Sequence, residues 1–164
     1  MVVVIDAHTE PVNPPSASAV LTHAQLWDGV LFELRNKALF FPSIESSEVI
    51  SETEEEIVIH SILKDHSTTG HTAGEHVTKF ALSAPNKADG VDDVYPNFHI
   101  IGIISQGSGG DTDLYYTVIY EWIEKEVEPG SEKHEALKSG NIHPSGQAKD
   151  TIEYTRKLVK NGDL

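Results

Sequence analysis

A histidine and a tyrosine on two predicted strands are the side chains of this sequence whose types fit acid–base chemistry. Alternate residues share one face of a strand, which places Tyr120 on the large aromatic face of residues 113–122. The same alternation places His76 on the more apolar face of residues 72–83. An imidazole titrates near neutral pH, and a phenol hydroxyl can polarise a carbonyl group. We therefore predict His76 and Tyr120 as candidate catalytic residues; the alternative is a hydrogen-bonded histidine and ordinary aromatic core packing.

Metal and nucleophile chemistry finds little support in the residue spacing. His66, His71 and His76 are evenly spaced, but the spacing matches no helical ligand motif such as HExxH, and the first two lie in a polar loop. The glycine-rich run 107–110 precedes a strand rather than a helix, so it indicates a hairpin tip and not a phosphate-binding loop. The chain contains no cysteine and no GxSxG motif. The sequence therefore predicts no metal site and no cofactor.

The composition indicates a soluble globular protein that binds neither nucleic acid nor membranes. The 164 residues include 26 acidic and 12 basic side chains, which give a formal net charge of -14. This charge opposes contacts with phosphates and with anionic membrane surfaces. The apolar run 2–5 is too short for a signal peptide or a membrane span, and no other segment approaches spanning length. We expect a single cytoplasmic domain over residues 1–164; the sequence carries no signal for an oligomeric state.

The hydrophobic periodicity predicts a strand, a pair of helical segments, several further strands and a long terminal helix. A helix should begin after Thr22, because Thr22 and Gln25 have the spacing of a capping box before an apolar stripe. A helical turn follows at 38–41, and further helices are predicted at 131–139 and 144–160. The predicted strands span residues 2–9, 46–51, 56–64, 72–83, 97–106 and 113–123, with one short strand near Val94.

Strands that follow one another without intervening helices predict an antiparallel sheet and an α+β fold. The inner face of this sheet and the apolar stripe of the terminal helix must both be buried, so the sheet is expected to curve around the helix. Tyr116 and Tyr120 favour a cavity between them, because two hydroxyl groups on one inner face are costly in a dry core. The side chains expected to line this ligand pocket are Trp27, Phe41, Ile59, Phe80, Tyr116, Val118 and Ile152.

Several segments of the chain resemble the AtaL-like family. They are LTHAQLWDGV at 21–30, FPSI at 41–44, SSEVISE at 46–52, GEHVT at 74–78, LYYTVIYEW at 114–122 and TIEYTRKLVKNGDL at 151–164. This family lies within the Bet v 1-like (START-like, SRPBCC) superfamily, so the resemblance implies a helix-grip fold with an internal hydrophobic pocket. The chain departs from the family pattern at 86–96, which is longer and more acidic, and at 140–146, where two glycines and a proline interrupt the helical pattern.

The resemblance leaves more than one function open, because the superfamily includes lipid carriers, polyketide cyclases and plant hormone receptors. The main hypothesis is a protein that binds an apolar small molecule of the polyketide or terpenoid type and assists a cofactor-free, non-redox cyclisation or isomerisation, as a pericyclase does. Such catalysis needs only a folded substrate conformer and a hydrogen bond to a carbonyl group. The alternatives are a carrier or sensor that releases the ligand unchanged, and an interaction domain without a cavity.

Overall fold

The computed structural model of the protein describes residues 1–65, 72–139 and 146–164, and the strands within them form one sheet. The strands are β1 (Val2–Pro11), β2 (Ile44–Glu52), β3 (Glu56–Leu63), β4 (Gly74–Ser83), β5 (Lys87–Asp92), β6 (Phe98–Gln106) and β7 (Leu114–Glu124). Their order in the sheet is β1-β7-β6-β5-β4-β3-β2, and every neighbouring pair is antiparallel. The predicted antiparallel sheet of an α+β protein is therefore confirmed.

The helices of the described residues are α1 (His23–Arg35), α2 (Lys37–Phe40), α3 (Glu132–Lys138) and α4 (Gln147–Asn161). The capping box that starts α1 is formed as predicted. Thr22 Oγ1 accepts a hydrogen bond from the Gln25 backbone N–H at 3.2 Å, and the Gln25 side chain accepts one from the Thr22 N–H at 3.0 Å. α4 ends at Gly162, whose φ of 78° lies in the left-handed region that favours glycine. The helix start predicted at Pro144 lies outside the described residues.

The strand β7 lies between β1 and β6 and carries the largest inward face of the sheet. Tyr120 is opposite Asp6 of β1 and Ile100 of β6. The residues between the inward positions are only partly buried, so the alternation predicted from the sequence is confirmed. The fully inward residues of this strand are Leu114, Tyr116, Val118 and Tyr120.

The helices α1 and α4 come into close contact at a glycine of α1. A Cβ atom on Gly29 would lie only 1.9 Å from Thr155 Oγ1 of α4. The Thr155 hydroxyl turns back onto its own helix and donates to the Thr151 carbonyl at 2.7 Å. The missing side chain of Gly29 therefore allows α4 to approach α1 closely. α4 also contacts β7 and β1, so the terminal helix covers the inner face of the sheet as predicted.

The strand β5 corrects the prediction of a short strand near Val94. β5 spans Lys87–Asp92, and Val94 follows its end. The strand β5 is polar. Its Asp89 side chain accepts hydrogen bonds from Lys87 of the same strand and from His99 of β6. Gly90 leaves room for the ring of Phe80, which would lie 2.3 Å from a Cβ atom at that position. The strand is stabilised by partners on other strands, which the local sequence does not reveal.

The guanidinium group of Arg156 ties α4 to the connector that follows β1. Arg156 is 3% exposed, and it donates from Nη2 to the Val12 carbonyl at 2.5 Å and from Nε to the Ala19 carbonyl at 2.9 Å. Nη1 donates to Glu153 at 2.9 Å, where the carboxylate is largely exposed. Charge-assisted hydrogen bonds to backbone carbonyls are stronger than neutral ones. Arg156 therefore holds the connector against the middle of α4.

We expect Arg156→Met to lower the free energy of unfolding by about 1–3 kcal/mol, because the buried Val12 carbonyl loses its donor. Glu153→Gln is the matched control, since it removes the exposed ion pair alone and should change the free energy by less than about 0.5 kcal/mol. Urea unfolding followed by circular dichroism measures both variants. Equal stability of the two variants would contradict the role of the backbone contacts.

Candidate functional site

A cavity of about 100 Å³ lies between α2, the start of α4 and the inner faces of β3, β4 and β6. One part of its wall is apolar, and the other carries hydroxyl, imidazole, amide, carboxylate and ammonium groups. The apolar lining residues are Phe41, Ile44, Leu63, Phe98 and Ile100. The polar lining residues are Lys37, Ser43, Ser61, His76, Thr78, Asp92, Tyr120 and Gln147. Concave sites with a mainly apolar wall and a few convergent polar groups are typical of small-molecule binding.

The cavity is partly open to solvent at one side. Phe41, Ser43, Ile44 and Leu63 are partly exposed lining residues that lie together, because Ile44 of β2 pairs with Leu63 of β3. One opening of the cavity, called the mouth below, therefore lies between the α2–β2 turn and the end of β3. An enclosed cavity of about 150 Å³ accepts benzene. This cavity is smaller but open, so a ligand with one aromatic ring would fill it and extend through the mouth.

A chain of hydrogen bonds joins Tyr120 to a buried carboxyl group. The Tyr120 hydroxyl donates to Gln147 Oε1 at 2.7 Å, and Gln147 Nε2 donates to Glu33 Oε1 at 3.0 Å. The Thr151 hydroxyl donates to the other oxygen of the Glu33 side chain. The chain connects β7, α4 and α1. Both carboxyl oxygens of Glu33 are therefore occupied by donors from the terminal helix.

Burial controls the protonation of this chain. Desolvation raises the pKa of Glu33, while the charge of Lys37 and two accepted hydrogen bonds partly oppose the rise. Desolvation also raises the pKa of Tyr120, and the charge of Glu33 raises it further. The Tyr120 hydroxyl therefore stays protonated at physiological pH. It can act as a hydrogen-bond donor at the cavity wall, but not as a base.

The imidazole of His76 lies inside the protein with both ring nitrogens engaged. Nδ1 is 2.9 Å from Asp92 Oδ1, and Nε2 is 2.8 Å from the carbonyl oxygen of Thr72. A carbonyl oxygen only accepts hydrogen bonds, so Nε2 carries a proton and donates it. The ring also stacks against Tyr95, with centroids 5.9 Å apart. His76 therefore borders the cavity in a fixed orientation and reaches a ligand only by giving up one of these bonds.

Lys37 is a cavity residue that the sequence analysis did not single out. It is 5% exposed, and its Nζ atom lies 4.6 Å from the ring centroid of Phe80 and 5.1 Å from that of Phe41. Burial lowers the pKa of its ammonium group, while the charges of Glu33 and Asp92 oppose the shift. The sequence contained one signal: Lys37 follows Glu33 by four residues, which is the spacing of neighbours on one face of a helix. Because lysines are almost never fully buried, a sequence-based prediction places Lys37 on the surface despite this spacing.

The other residues predicted to contact a ligand lie at different depths. Phe41 lines the cavity together with the two candidate catalytic residues. A narrow void of about 10 Å³ adjoins the cavity and shares Lys37 and Gln147 with it. The predicted residues that line this void are Phe80, Tyr116 and Val118. Those that belong to the surrounding hydrophobic core are Trp27, Ile59 and Ile152. Contact of these six side chains with a ligand stays a prediction.

Within the described residues, His76, Asp92 and Asp93 form a group with the donor types of a cation site. Asp92 Oδ1 already lies 2.9 Å from the imidazole Nδ1 and accepts a hydrogen bond from a backbone N–H at 2.9 Å. Asp93 accepts one from a backbone N–H of β4 at 2.8 Å. These bonds account for the position of the group, so we assign no metal ion to it. The evenly spaced His66 and His71 lie outside the described residues.

Solved structures with the same arrangement of sheet and terminal helix define the class of this protein. The Zhui aromatase/cyclase from Streptomyces sp. R1128 is 13% identical, with a TM-score of 0.52 over 99% of this chain and 89% of that chain. Norcoclaurine synthase from Thalictrum flavum, in complex with dopamine and hydroxybenzaldehyde, is 15% identical, with a TM-score of 0.58 over 98% and 88%. The di-domain ARO/CYC protein BexL of the BE-7585A biosynthetic pathway is 9% identical, with a TM-score of 0.63 over 94% and 49%. The chain therefore has the Bet v 1-like helix-grip fold.

The chain belongs to the AtaL family. The family described as acetylaranotin biosynthesis cluster protein L matches residues 7–162, which include every element around the cavity. The resemblance seen in the sequence is thereby confirmed. No curated protein matches the chain. Of the helices in the described residues, none combines the length and the hydropathy needed to cross a bilayer.

We expect a pH-dependent part of the stability to depend on Glu33. Because burial raises the pKa of Glu33 from 4.5, the folded protein keeps this proton at pH values where the unfolded chain has lost it. The contribution of Glu33 to the free energy of unfolding should therefore decrease as the pH rises from 4.5 towards neutrality. Glu33→Gln should lose this decrease. Urea unfolding of both proteins across this pH range measures the difference.

The control for this experiment is Glu54→Gln, in the exposed turn between β2 and β3. It removes a carboxylate of the same type without touching the buried chain, so it should retain the pH profile of the unchanged protein. Parallel profiles for Glu33→Gln and the unchanged protein would show that the Glu33 proton does not differ between the folded and unfolded states.

Proposed function

We propose that the cavity binds an apolar small molecule of the polyketide or terpenoid type and assists a cofactor-free, non-redox cyclisation or isomerisation. The observation that carries this proposal is the Tyr120 hydroxyl, which borders a largely apolar cavity and is held in place by Gln147. Membership of the AtaL family supports a role in small-molecule biosynthesis, because that family is described by a biosynthesis cluster. The fold that the chain shares with the aromatase/cyclases named above supports the type of reaction.

The aromatic wall of the cavity would act first, by limiting the conformations of the ligand. Phe98 lines the cavity, stacks against Trp122 at 4.6 Å between ring centroids, and meets Tyr120 edge-on at 5.5 Å. These contacts fix the ring of Phe98, so a flexible chain that enters the cavity has to fold against a rigid surface. Holding the reacting atoms close together removes part of the entropic barrier to ring closure. Because the cavity holds about one ring, the reacting segment is the part of the ligand that enters it.

Tyr120 would supply the hydrogen bond that polarises a ligand carbonyl. Its raised pKa keeps the hydroxyl protonated, so in the bound state the hydroxyl turns from Gln147 to the carbonyl oxygen. A hydrogen bond of this kind strengthens as negative charge develops on the oxygen in the transition state. Gln147 keeps its own hydrogen bond to Glu33 during this exchange, which preserves the geometry of the wall.

His76 is the second candidate for acid–base chemistry. Asp92 orients the ring, and the Nε2–H group donates to the Thr72 carbonyl. A ligand oxygen that replaces the Thr72 carbonyl would accept this proton. The ligand then competes with a backbone acceptor at 2.8 Å, whereas at Tyr120 it competes with a side-chain amide. We therefore place Tyr120 before His76 in the mechanism.

A carrier or sensor is the second candidate function. It is favoured by one observation: the polar groups of Tyr120 and His76 already have hydrogen-bond partners within the protein. A pocket whose polar groups are satisfied can hold an apolar molecule without changing it. The two functions differ in what happens to the ligand, since a carrier releases it unaltered.

We expect incubation with a linear poly-β-ketone thioester analogue or an acyclic terpenoid to give a new product. A non-redox cyclisation or isomerisation conserves the mass of the substrate, or lowers it by one water. Liquid chromatography with mass spectrometry detects this as a shifted retention time at one of those two masses. Heat-denatured protein is the control for spontaneous reaction. Recovery of unaltered ligand that native mass spectrometry finds bound to the protein would favour the carrier.

We expect Tyr120→Phe to lower the rate of product formation roughly 100-fold, because the hydrogen-bond donor to the substrate is removed. The benzene ring stays, so binding should change by only a few-fold. Tyr115→Phe is the matched control, since it removes a hydroxyl from the opposite face of the same strand. Initial rates of the two variants measure the difference. A Tyr120→Phe rate equal to that of Tyr115→Phe would remove Tyr120 from the mechanism.

A further inference from the structure

Two hydrogen-bond donors at the cavity wall have no acceptor within the described part of the chain. The side chain of Lys37 is 5% exposed, and neither an ion pair nor a hydrogen bond to its ammonium group is formed there. Ser61 is 3% exposed, and its Oγ atom is buried without a partner. Both residues line the same cavity. A buried hydroxyl without a partner is costly, so Ser61 Oγ, in the wall of a cavity that Lys37 also lines, indicates a missing hydrogen-bond partner.

The ammonium group of Lys37 lies against two aromatic rings. Its Nζ atom lies over the faces of Phe80 and Phe41. Such contacts favour a cation, but they provide no hydrogen-bond acceptor with the strength of a carboxylate. Lysine carries three donor N–H groups when protonated, and all of them remain available to a bound molecule.

The buried acids near Lys37 are committed to other groups. Both oxygens of Glu33 accept hydrogen bonds from Gln147 and Thr151. Asp92 accepts from His76, from the Thr78 hydroxyl at 3.1 Å and from a backbone N–H. Neither acid makes a direct ion pair with Lys37, although their charges counteract the lowering of its pKa by burial. Within the described part of the chain, Lys37 therefore has no carboxylate in direct contact.

We propose that the natural ligand carries a carboxylate, which binds to Lys37 and Ser61 while its apolar body occupies the ring-sized part of the cavity. The proposal deepens the proposed function, because it assumes that the cavity binds an apolar small molecule and adds the charged group by which that molecule is selected. A carboxylate has two oxygens, so it can accept from the ammonium group and from the hydroxyl together. The whole chain has a formal net charge of -14, which disfavours an anionic ligand unless a cation in the site offsets it.

The carboxylate also has an orienting effect on the proposed reaction. Lys37 lies on α2, whereas Tyr120 lies on β7, and both border the cavity. A ligand fixed at its acidic end by Lys37 therefore presents its remaining length to the walls that carry Tyr120 and Phe98. Lys37 is a specificity-determining residue in this arrangement, and the chemistry stays with Tyr120.

The test compares acids and alcohols of equal length, so that only the charged group differs. The probes are benzoate, phenylacetate and hydrocinnamate, each with the corresponding benzyl, phenethyl or hydrocinnamyl alcohol. Each probe carries one aromatic ring. The chain between the ring and the charged group increases in length along the series, so no particular distance from the ring to Lys37 is assumed. Isothermal titration calorimetry at neutral pH measures the dissociation constants. We expect at least one acid to bind roughly tenfold or more tightly than its alcohol, as a hydrogen bond to a charged group does.

Lys37→Met should abolish this preference and leave the affinity for the alcohol within about threefold, because methionine keeps an apolar side chain of similar length. Lys79→Met is the matched control: it removes one positive charge from an exposed position of β4, so it should keep the preference. Ser61→Ala should reduce the preference by about threefold. Retained alcohol binding shows in the same experiment that each variant is folded.

The outcomes separate the two proposals. An acid that binds no more tightly than its alcohol, or a preference that survives Lys37→Met, would overturn the carboxylate site and leave the apolar pocket standing. Failure of every acid and every alcohol to bind the unchanged protein would overturn the proposed ligand binding together with it. A preference that is lost in Lys37→Met and kept in Lys79→Met supports both.

Discussion

The buried carboxyl group of Glu33 is the contact on which the arrangement of the cavity depends. Its two oxygens accept hydrogen bonds from Gln147 and Thr151, which lie in the first part of α4. Burying a carboxyl group is costly unless its oxygens find donors, so α4 has to lie where these two side chains reach α1. Gln147 extends the same constraint to Tyr120 on β7. One buried acid thereby relates the helix α1, which follows the first strand, to the strand β7 and to the terminal helix.

The polar groups around the cavity divide into those with partners in the protein and those without. Tyr120 and His76 have partners, which hold the wall of the cavity in place. Within the described residues, Ser61 Oγ is buried without a partner and Lys37 lines the same cavity without an ion pair, so a guest molecule can provide an acceptor for both. Satisfied groups define the geometry of the wall, whereas unsatisfied groups define the chemistry of what fits against it. This division explains how one fold can hold different molecules in different families.

The features that local sequence determines could be predicted, and those that depend on distant partners could not. The face of β7 that carries Tyr120 follows from strand alternation, and the start of α1 follows from the capping box at Thr22. The strand β5 was missed because its acidic residues are stabilised partly by side chains of β4 and β6, such as Thr78 and His99. Lys37 was missed because its burial depends on rings that α2, β2 and β4 bring together. The cavity was predicted from an aromatic face, but its size depends on where the helices pack, which periodicity does not report.

The close contact between Gly29 of α1 and Thr155 of α4 limits how the cavity can adapt to ligands of different size. Backbone and side chain meet there without spare volume, and Arg156 fastens the adjoining turn of α4 to the opposite connector. The midsection of the terminal helix is thus immobilised on two sides, and a close-packed junction resists gradual displacement. Space for a larger ligand therefore has to come from the opposite side of the cavity. There, α2 spans only four residues and is followed by β2 after a short turn. Relatives that bind ligands of different size would accordingly differ in the sequence and length of α2 and the turn after it, whereas the position of α4 would stay the same.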